Sequence, residues 1–380
     1  MKLLGGDLII LRPEVREPVI TDQVKNCLDQ LHVICQERKL SKNSFYKFIL
    51  FHNKTTNDHY DHITRELISL IKDIIHQDVL VMILYQPPVK YDVVMEVYYY
   101  DPEQWCSSFH NDNSGGAVVF KKDCVIISIG YTGACDGNCR TNSWNTFSSL
   151  EMLLSKTGFS LRDIIRQWNY IEGILQYDGP HQHYQIFNEI RTKFYGDHFK
   201  EKGYPAGTGI GIKRGGIIIE YIVVSNSETK TIPINNPRQV PAYQYSQDVL
   251  KGQLINKVKA TPKFERGRYL SVLDKEILFV SGTAAISGEQ VIYPVNSSMQ
   301  TLYTIDTIDE LMSKKNLNKK GIRAGKLIFD YLRIYMKDRN DFLRIWEVCQ
   351  KRYGDVPCVW IQADICRNEL LVEIEGYIYL

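Results

Sequence analysis

The stretch Cys-Arg-Asn-Glu-Leu-Leu-Val-Glu-Ile-Glu-Gly, residues 366–376, decides the fold because it closes a unit that occurs three times in the chain. Its Leu371-Val372-Glu373 segment has counterparts in Ile218-Ile219-Glu220 and Val94-Met95-Glu96, each within an apolar run. A carboxylate in a half-buried strand costs free energy unless it is paired or its pKa is shifted. Three glutamates at one repeat position therefore predict a triplicated module in which at least one carboxylate has a chemical role.

The same order of strand, helix and two strands leads to each of the three glutamates. In the central copy the strand covers residues 164–170, and apolar side chains three and four apart predict a helix between 184 and 194. Its closing strands are near 208–212 and 217–224. The equivalent segments are 44–52, 58–75, 79–85 and 93–100 in the first copy, and 328–336, 341–353, 358–363 and 370–379 in the third.

The second and third copies also share a front half, in which an apolar strand ends in Gly130 or Gly282 and an amphipathic helix follows. The module is therefore predicted to be β-β-α-β-α-β-β, an α+β fold with helices on one face of a sheet. The first copy has a shortened front. We place the modules at residues 1–101, 102–232 and 233–380, with boundaries in turn-rich segments.

The composition is that of an ordinary globular protein. Of the 380 residues, 44% are hydrophobic and 24% are charged, and the formal net charge is +2. This balance gives no general attraction to nucleic acid or membranes, and no apolar run reaches the ~18 residues that a membrane span needs. The nine cysteines have no framework spacing. We therefore expect free thiols in a cytoplasmic protein without nucleic-acid or membrane partners.

The segment that joins the second and third modules reads Asn235-Asn236-Pro237-Arg238-Gln239-Val240-Pro241-Ala242-Tyr243. Its prolines stiffen the chain and hold Arg238, Gln239 and Tyr243 in fixed relative positions. Arginine suits planar, bidentate binding of a carboxylate. The segment is interpreted as a binding site for an acid, with a solvated surface linker as the alternative.

The repeated module resembles the Rid, or YjgF-like, family, whose small proteins form trimers with sites between subunits. Three such modules in one chain imply a fused pseudo-trimer, which we expect to be a monomer. Between residues 95 and 380 the chain also resembles the chorismatase family, on six segments in the family's order. These are Arg166 to Ile171, Phe187-Asn188 with Arg191, Pro205 to Gly211, Asn236 to Tyr243, Ser281 to Ala284, and Cys366 to Gly376. The chain departs from the family's pattern at residues 247–259, which intervene before Phe264, and at Glu289, where a histidine is usual.

The resemblance implies an enzyme that cleaves the enolpyruvyl ether of chorismate and releases pyruvate, with no cofactor and no metal. Protonating the methylene carbon of the ether requires a general acid that keeps its proton near neutral pH, as a glutamate in an apolar strand does. Glu373 is the predicted general acid, and Glu96 and Glu220 are predicted to be structural. The resemblance associates Cys366 with aromatic products, 3- or 4-hydroxybenzoate. A small buried hydrophobe is the alternative role for Cys366.

The predicted substrate-binding residues follow from the same resemblance and from side-chain chemistry. Arg238 is the first candidate for a substrate carboxylate, followed by Arg191 and Arg266. Arg191 could equally form a structural ion pair. Hydrogen-bond partners and ring contacts are assigned to Tyr170, Gln239, Tyr243, Thr208, Gly282, Thr283 and Ala284.

Three other functions stay open at this point. Water attack would yield a dihydroxycyclohexadiene carboxylate instead of a hydroxybenzoate. A Rid-type imine deaminase is weakened because Val356-Pro357-Cys358 lacks the arginine of that family. A non-catalytic protein that binds a small acid is the third alternative.

Overall fold

The computed structural model describes residues 2–53, 60–75, 78–112, 114–225, 229–252 and 258–380. Three larger mixed sheets dominate it, and each is built from one continuous part of the chain. None of the helices in these ranges combines the length and the apolar character that crossing a membrane requires.

The first module is a four-stranded sheet with two helices. Its elements are β1 (Leu8–Leu11), α1 (Ile20–Arg38), β2 (Phe45–His52), α2 (Tyr60–Ile75), β3 (Leu80–Leu84) and β4 (Val93–Tyr99). The strand order is β1-β4-β2-β3, in which β2 runs parallel to β3 and antiparallel to β4. The start predicted for the second helix, residue 58, lies outside the described residues.

The second module is a six-stranded sheet in the order β11-β8-β12-β7-β6-β5, with two helices and a short hairpin. The residue ranges are β5 (Cys106–Asp112), β6 (Gly115–Lys122), β7 (Val125–Ala134), α3 (Cys139–Lys156), β8 (Ile164–Glu172), β9 (Tyr177–Asp178), β10 (His181–Gln182), α4 (His183–Tyr195), β11 (Ala206–Ile212) and β12 (Ile217–Ser225).

The third module repeats this plan in the order β13-β14-β15-β20-β18-β19. The residue ranges are β13 (Lys230–Ile234), β14 (Gly267–Val272), β15 (Lys275–Ala284), β16 (Ile286–Ser287), β17 (Gln290–Val291), α5 (Ser297–Leu311), α6 (Lys314–Asn318), β18 (Tyr331–Met336), α7 (Phe342–Tyr353), β19 (Cys358–Gln362) and β20 (Val372–Tyr379).

The α+β class, the triplication and the shortened first module are confirmed, with two corrections to the module. Its two full copies each begin with one more strand than predicted, β5 and β13. The strand β5 reads Cys-Ser-Ser-Phe-His-Asn-Asp and lies at a sheet edge, so it lacks the apolar run that marks the inner strands. The predicted boundary at residue 232 falls inside β13, which pairs with β14 of the third sheet. We therefore begin the third module before residue 230.

The three sheets share one central core. Each sheet packs one face on its own helices, and the opposite faces together form a single buried cluster in the middle of the molecule. Strands buried on both faces read as continuous apolar runs, and β2, with all eight residues buried, is an example. This double burial explains why the inner strands were predictable from the sequence.

A ring of three buried ion pairs joins the modules at this centre. Lys47 on β2 pairs with Glu220 on β12 at 2.6 Å, and Arg333 on β18 pairs with Glu96 on β4 at 2.6 Å. The third pair joins Arg166 on β8 to Glu375 on β20. Each pair therefore links β2, β8 or β18, the equivalent strands of the three modules, to the last strand of a different module. The fused chain thus has a pseudo-threefold arrangement.

Candidate active site

A cavity lies where the second module meets the third. Strand β11 contributes Gly207 and Gly209, and these glycines leave space that side chains would fill. Helix α4 supplies polar side chains from the second module. The third module supplies residues from β15, from β20, and from the segments before β14 and β20, among them Arg266, Gly282, Ala284, Cys366, Arg367 and Glu373.

Glu373 lies in the wall of this cavity on β20, and its side chain is 4% exposed. Among the described residues, none forms a hydrogen bond or an ion pair with its carboxyl through a side chain. Burial and, to a smaller extent, the nearby Glu375 carboxylate raise the pKa of Glu373 to about 8, although Arg266 and Arg166 act to lower it. The side chain is therefore mainly protonated at neutral pH, as a general acid must be.

A bulge in β15 shapes the backbone beside this carboxyl. The pairing of β15 with β20 shifts between Val280 and Thr283, and Gly282 lies in the shifted part. A Cβ at Gly282 would overlap the Oε1 atom of Glu373, so a side chain at this position would displace the carboxyl. The Gly282 N–H donates to Thr208 Oγ1 at 3.0 Å, which ties the bulge to β11 across the module boundary.

Cys366 lines the same cavity seven residues before Glu373 in the chain. Burial and the proximity of Glu373 raise the pKa of its thiol to about 12. A thiol with so high a pKa stays protonated and is a poor nucleophile. Cys366 therefore acts through its volume, its weak polarity or its exclusion of water.

Three cations face the cavity. Arg266, 3% exposed, donates to the Val240 carbonyl and to the Tyr245 hydroxyl, while its Nε has no partner. The Tyr245 ring lies between two guanidinium groups, 5.7 Å from that of Arg266 and 5.0 Å from that of Arg367. Lys251 lies at the rim, 3.4 Å from Glu369. Since Glu373 is the one carboxylic acid among the described lining residues and is mainly protonated, the cavity suits an anionic ligand.

Five of the predicted site residues line this cavity, namely Glu373, Cys366, Arg266, Gly282 and Ala284. Thr208 lies immediately behind the wall, where it donates to Glu375, and the Thr283 hydroxyl donates to the Ser281 carbonyl. The structure therefore brings together the predicted acid, the cysteine and one arginine.

The other predicted contacts do not reach the cavity lining. Arg238 is exposed and lies over the Tyr303 ring at 6.0 Å, because the linker turns its guanidinium outward. Gln239 donates to the Ile286 carbonyl, and Tyr243 packs on Tyr204 with ring centroids 5.2 Å apart. The carboxylate site predicted at Arg238 therefore stays a prediction, and this cavity does not include it.

Two further predicted residues lie on either side of the cavity wall. Tyr170 is fully buried in the central ring, where its hydroxyl contacts Glu220 and Arg333, so it is not available to a ligand. Arg191 is buried and donates to Asn188, which does line the cavity. No carboxylate of the described residues pairs with Arg191, so the structural ion pair considered for it is absent there.

Sequence reasoning missed several lining residues, of which Tyr245, Arg367 and Lys251 matter most. Arg367 directly follows Cys366 and lies inside a motif already singled out, whereas Tyr245 lies two residues beyond the end of the linker motif at Tyr243. Lys251 belongs to the segment that departs from the family's pattern, where no motif pointed to it. Glu289 anchors this rim, because its carboxylate accepts from Ser246 and its carbonyl accepts from Arg367.

Several known proteins are similar to this chain in sequence. Residues 103–223 match the family described as chorismatase FkbO/Hyg5-like, N-terminal. A 3-hydroxybenzoate synthase of Streptomyces hygroscopicus is 31% identical over 242 residues, which cover 60% of this chain and 66% of that protein. A chorismatase of the same species is 27% identical over 269 residues, covering 69% and 74% of the two chains. A chorismatase of Streptomyces rapamycinicus is 29% identical over 223 residues, covering 57% and 64%.

A solved structure supports the fold over the whole length. The crystal structure of a chorismatase matches with a TM-score of 0.71 and covers 98% of each chain, at 19% sequence identity. The sequence alignments span about two thirds of the length of the first relative, 66%, and the structural match extends the shared fold beyond them. In the matched domain and in sequence this chain is similar to chorismatases, and it shares the fold of a chorismatase over nearly its whole length.

Proposed function

We propose that this chain cleaves the enolpyruvyl ether of chorismate to pyruvate and a hydroxybenzoate, with Glu373 as the general acid. The observation that carries the proposal is the buried, unpaired carboxyl of Glu373 in a cavity whose other charged groups are Arg266, Arg367 and Lys251. Relatives named chorismatase and 3-hydroxybenzoate synthase support the same substrate and product class.

The chemistry requires a proton donor and binding sites for two carboxylates. Chorismate is a dianion, and the cations that face the cavity complement its charge. Glu373 gives its proton to the methylene carbon of the enol ether, which leaves an oxocarbenium-like centre. Attack on this centre by water, followed by C–O cleavage, releases pyruvate and leaves a dihydroxycyclohexadiene carboxylate, which gives the hydroxybenzoate by loss of water. Attack by the ring hydroxyl gives a cyclic ketal; pyruvate then leaves with the oxygen of that hydroxyl, and loss of a ring proton gives the hydroxybenzoate directly. Neither route requires an oxidant or a cofactor.

The direct test is to incubate the purified protein with chorismate and to follow pyruvate with a lactate dehydrogenase assay. The proposal predicts pyruvate release that is proportional to enzyme concentration. Tight binding of chorismate without pyruvate release would overturn it in favour of a non-catalytic binding protein.

Activity should fall as the pH rises through about 8, the value to which burial raises the pKa of Glu373. The protonated carboxyl is the active form, so the activity is fully present well below pH 8 and is lost above it. The measurement is kcat for pyruvate release between about pH 6 and 9.5. A rate that increases through pH 8 would show that the ionised form acts instead, as a base.

Replacing Arg266 with methionine should raise KM for chorismate by about tenfold to a hundredfold, since a charge-assisted hydrogen bond contributes ~1.5–3 kcal/mol. The exposed Arg238 provides the matched control, because it does not line the cavity. Arg238→Met should leave KM within about twofold, as expected of a surface substitution. The reverse order of effects would restore the linker arginine as the carboxylate ligand.

Replacing Cys366 with alanine should shift the ring product from hydroxybenzoate toward the dihydroxycyclohexadiene carboxylate. A protonated Cys366 excludes water beside Glu373, and the smaller alanine admits it. Pyruvate release should stay within about tenfold, because the general acid is retained. Chromatography of the ring products measures the ratio, and an unchanged ratio would assign Cys366 a packing role only.

We also propose that the enzyme is a cytoplasmic monomer. The ion pair between Arg333 and Glu96 closes the ring from the third module back to the first, so the fused chain supplies all three contacts itself. The nine cysteines form no disulfide with one another, in agreement with a reducing compartment. Light scattering of the purified protein should give the mass of one chain, 44.1 kDa.

A further inference from the structure

The three repeat-position glutamates do not have equivalent partners. By strand register, Glu96 lies opposite Ile49, Glu220 opposite Trp168 and Glu373 opposite Tyr335. Each of these facing residues lies two positions after a basic residue, namely Lys47, Arg166 or Arg333. The three glutamates are therefore structurally equivalent, as their sequence context predicted.

Two of these glutamates bind a cation from another module, and the third does not. Glu96 pairs with Arg333, and Glu220 pairs with Lys47. In each pair the glutamate binds the repeat-equivalent basic residue of another module. The corresponding partner of Glu373 would be Arg166. Arg166 pairs instead with Glu375, two residues further along the same face of β20.

Glu375 has no acidic counterpart in the other modules. The residues at its register position are Tyr98 in the first module and Ile222 in the second, each facing the basic residue of its own sheet. The Glu375 carboxylate accepts from Arg166, from Thr208 and, at 2.8 Å, from the Tyr335 hydroxyl. It thus completes the ring that Glu373 would otherwise complete.

We propose that Glu375 is a positioning residue for Glu373: it binds Arg166, and this leaves Glu373 without a cation partner and facing the cavity. The inference rests on the proposed role of Glu373 as the acid. In the third module the structural carboxylate is therefore Glu375, two residues after the repeat position on β20. The glutamate at the repeat position itself, Glu373, is left for the chemistry. Thr208 strengthens the link, because it contacts Glu375 and also accepts from Gly282 beside Glu373.

Several titratable or charged groups surround Glu373 and bear on its protonation. The Glu375 carboxylate acts to raise its pKa, whereas Arg266 and Arg166 act to lower it. The cavity lining adds Tyr184 from α4, Cys366, and the group of Tyr245, Lys251 and Arg367. Removing the Glu375 charge removes one influence that raises the pKa and frees Arg166 to act more strongly in the opposite direction.

The test compares Glu375→Gln with the double variant Arg166→Gln/Glu375→Gln. In the single variant, Arg166 is left with Glu373 as its nearest carboxylate on the same face. We expect the loss of activity at high pH to move down by about one pH unit or more, with kcat at pH 8 lower by about fivefold or more. The double variant removes both charges and should return the pH profile toward that of the wild type. A purely structural role for Glu375 predicts no such rescue.

Glu220→Gln is the matched control. It leaves Lys47 without its partner in an equally buried pair of the same ring, but on the contact between the first and second modules. It should lower the stability without moving the pH profile. A shift of the profile in Glu220→Gln as large as that in Glu375→Gln would overturn the proposal, since the effect would then be a general consequence of loosening the ring.

A direct titration separates this inference from the proposed function. In protein labelled with carbon-13 at the glutamate carboxyl, the resonance that disappears in Glu373→Gln reports Glu373. Its midpoint should fall in Glu375→Gln and recover in the double variant, whether or not chorismate is turned over. Unchanged midpoints would contradict the positioning role, whereas a wild type that releases no pyruvate would contradict only the proposed function.

Discussion

Replacing Glu373 with glutamine should reduce kcat for pyruvate release from chorismate by about 10²–10⁴-fold, the usual contribution of a general acid. Glutamine has nearly the shape of the protonated acid but cannot give a proton to carbon. KM should change little, because the cations that face the cavity remain. The measurement is steady-state pyruvate release at pH 7, together with the unfolding midpoint of the variant.

The fold of this variant should be retained, since a neutral amide replaces a mainly neutral carboxyl in an apolar wall. Glu96→Gln is a suitable comparison, because it changes the repeat-equivalent position in the first module. It should reduce stability while leaving kcat per folded molecule close to that of the wild type. A loss of activity in Glu373→Gln of less than about tenfold would rule out the general-acid role.

Replacing Arg333 with methionine should lower the free energy of unfolding by about 3–5 kcal/mol, the cost of removing one partner of a buried ion pair. Arg333 is 2% exposed and contacts Glu96 through two nitrogens, at 2.8 and 2.6 Å. Burial alone would raise the pKa of Glu96, but Arg333 and the neighbouring tyrosines hold it below its usual value. Without the arginine, Glu96 must be buried as an uncompensated charge or take up a proton.

Urea unfolding at pH 7 measures this loss. Arg352→Met provides the control, because Arg352 forms an ion pair of similar length, 2.6 Å, with Asp309 at the surface. Exposed pairs contribute ~0–1 kcal/mol, so the control should remain near the wild type. Equal small losses in both variants would show that the central ring is not a major source of stability.

The triplication and its glutamates were predictable because buried strands carry continuous apolar runs, against which a single carboxylate stands out. Edge strands such as β5 were missed because their alternating exposure permits polar residues. The ring of ion pairs could not be predicted, since Lys47 and Glu220 are 173 residues apart and meet only after the modules associate.

For the site, the sequence pointed to Glu373 and Cys366, which line one cavity, and to Arg238, which does not line it. Arg238 lies in a conspicuous motif and Arg266 does not, and only the path of the chain shows that the first faces outward and the second faces the cavity. The role of Glu375 was also hidden, because Glu373 and Glu375 share one strand face and only the partner of each distinguishes them. Position in a motif therefore predicted the chemistry better than it predicted the contacts.

The most direct test of the account is to quantify pyruvate and the ring product from the same incubation of purified protein with chorismate. The account predicts pyruvate and a hydroxybenzoate in equal amounts, and both formed about 10²–10⁴-fold more slowly with Glu373→Gln. Chorismate recovered intact from the wild-type incubation would contradict the proposed function. Pyruvate with only a dihydroxycyclohexadiene carboxylate would keep the ether cleavage and contradict the aromatic product.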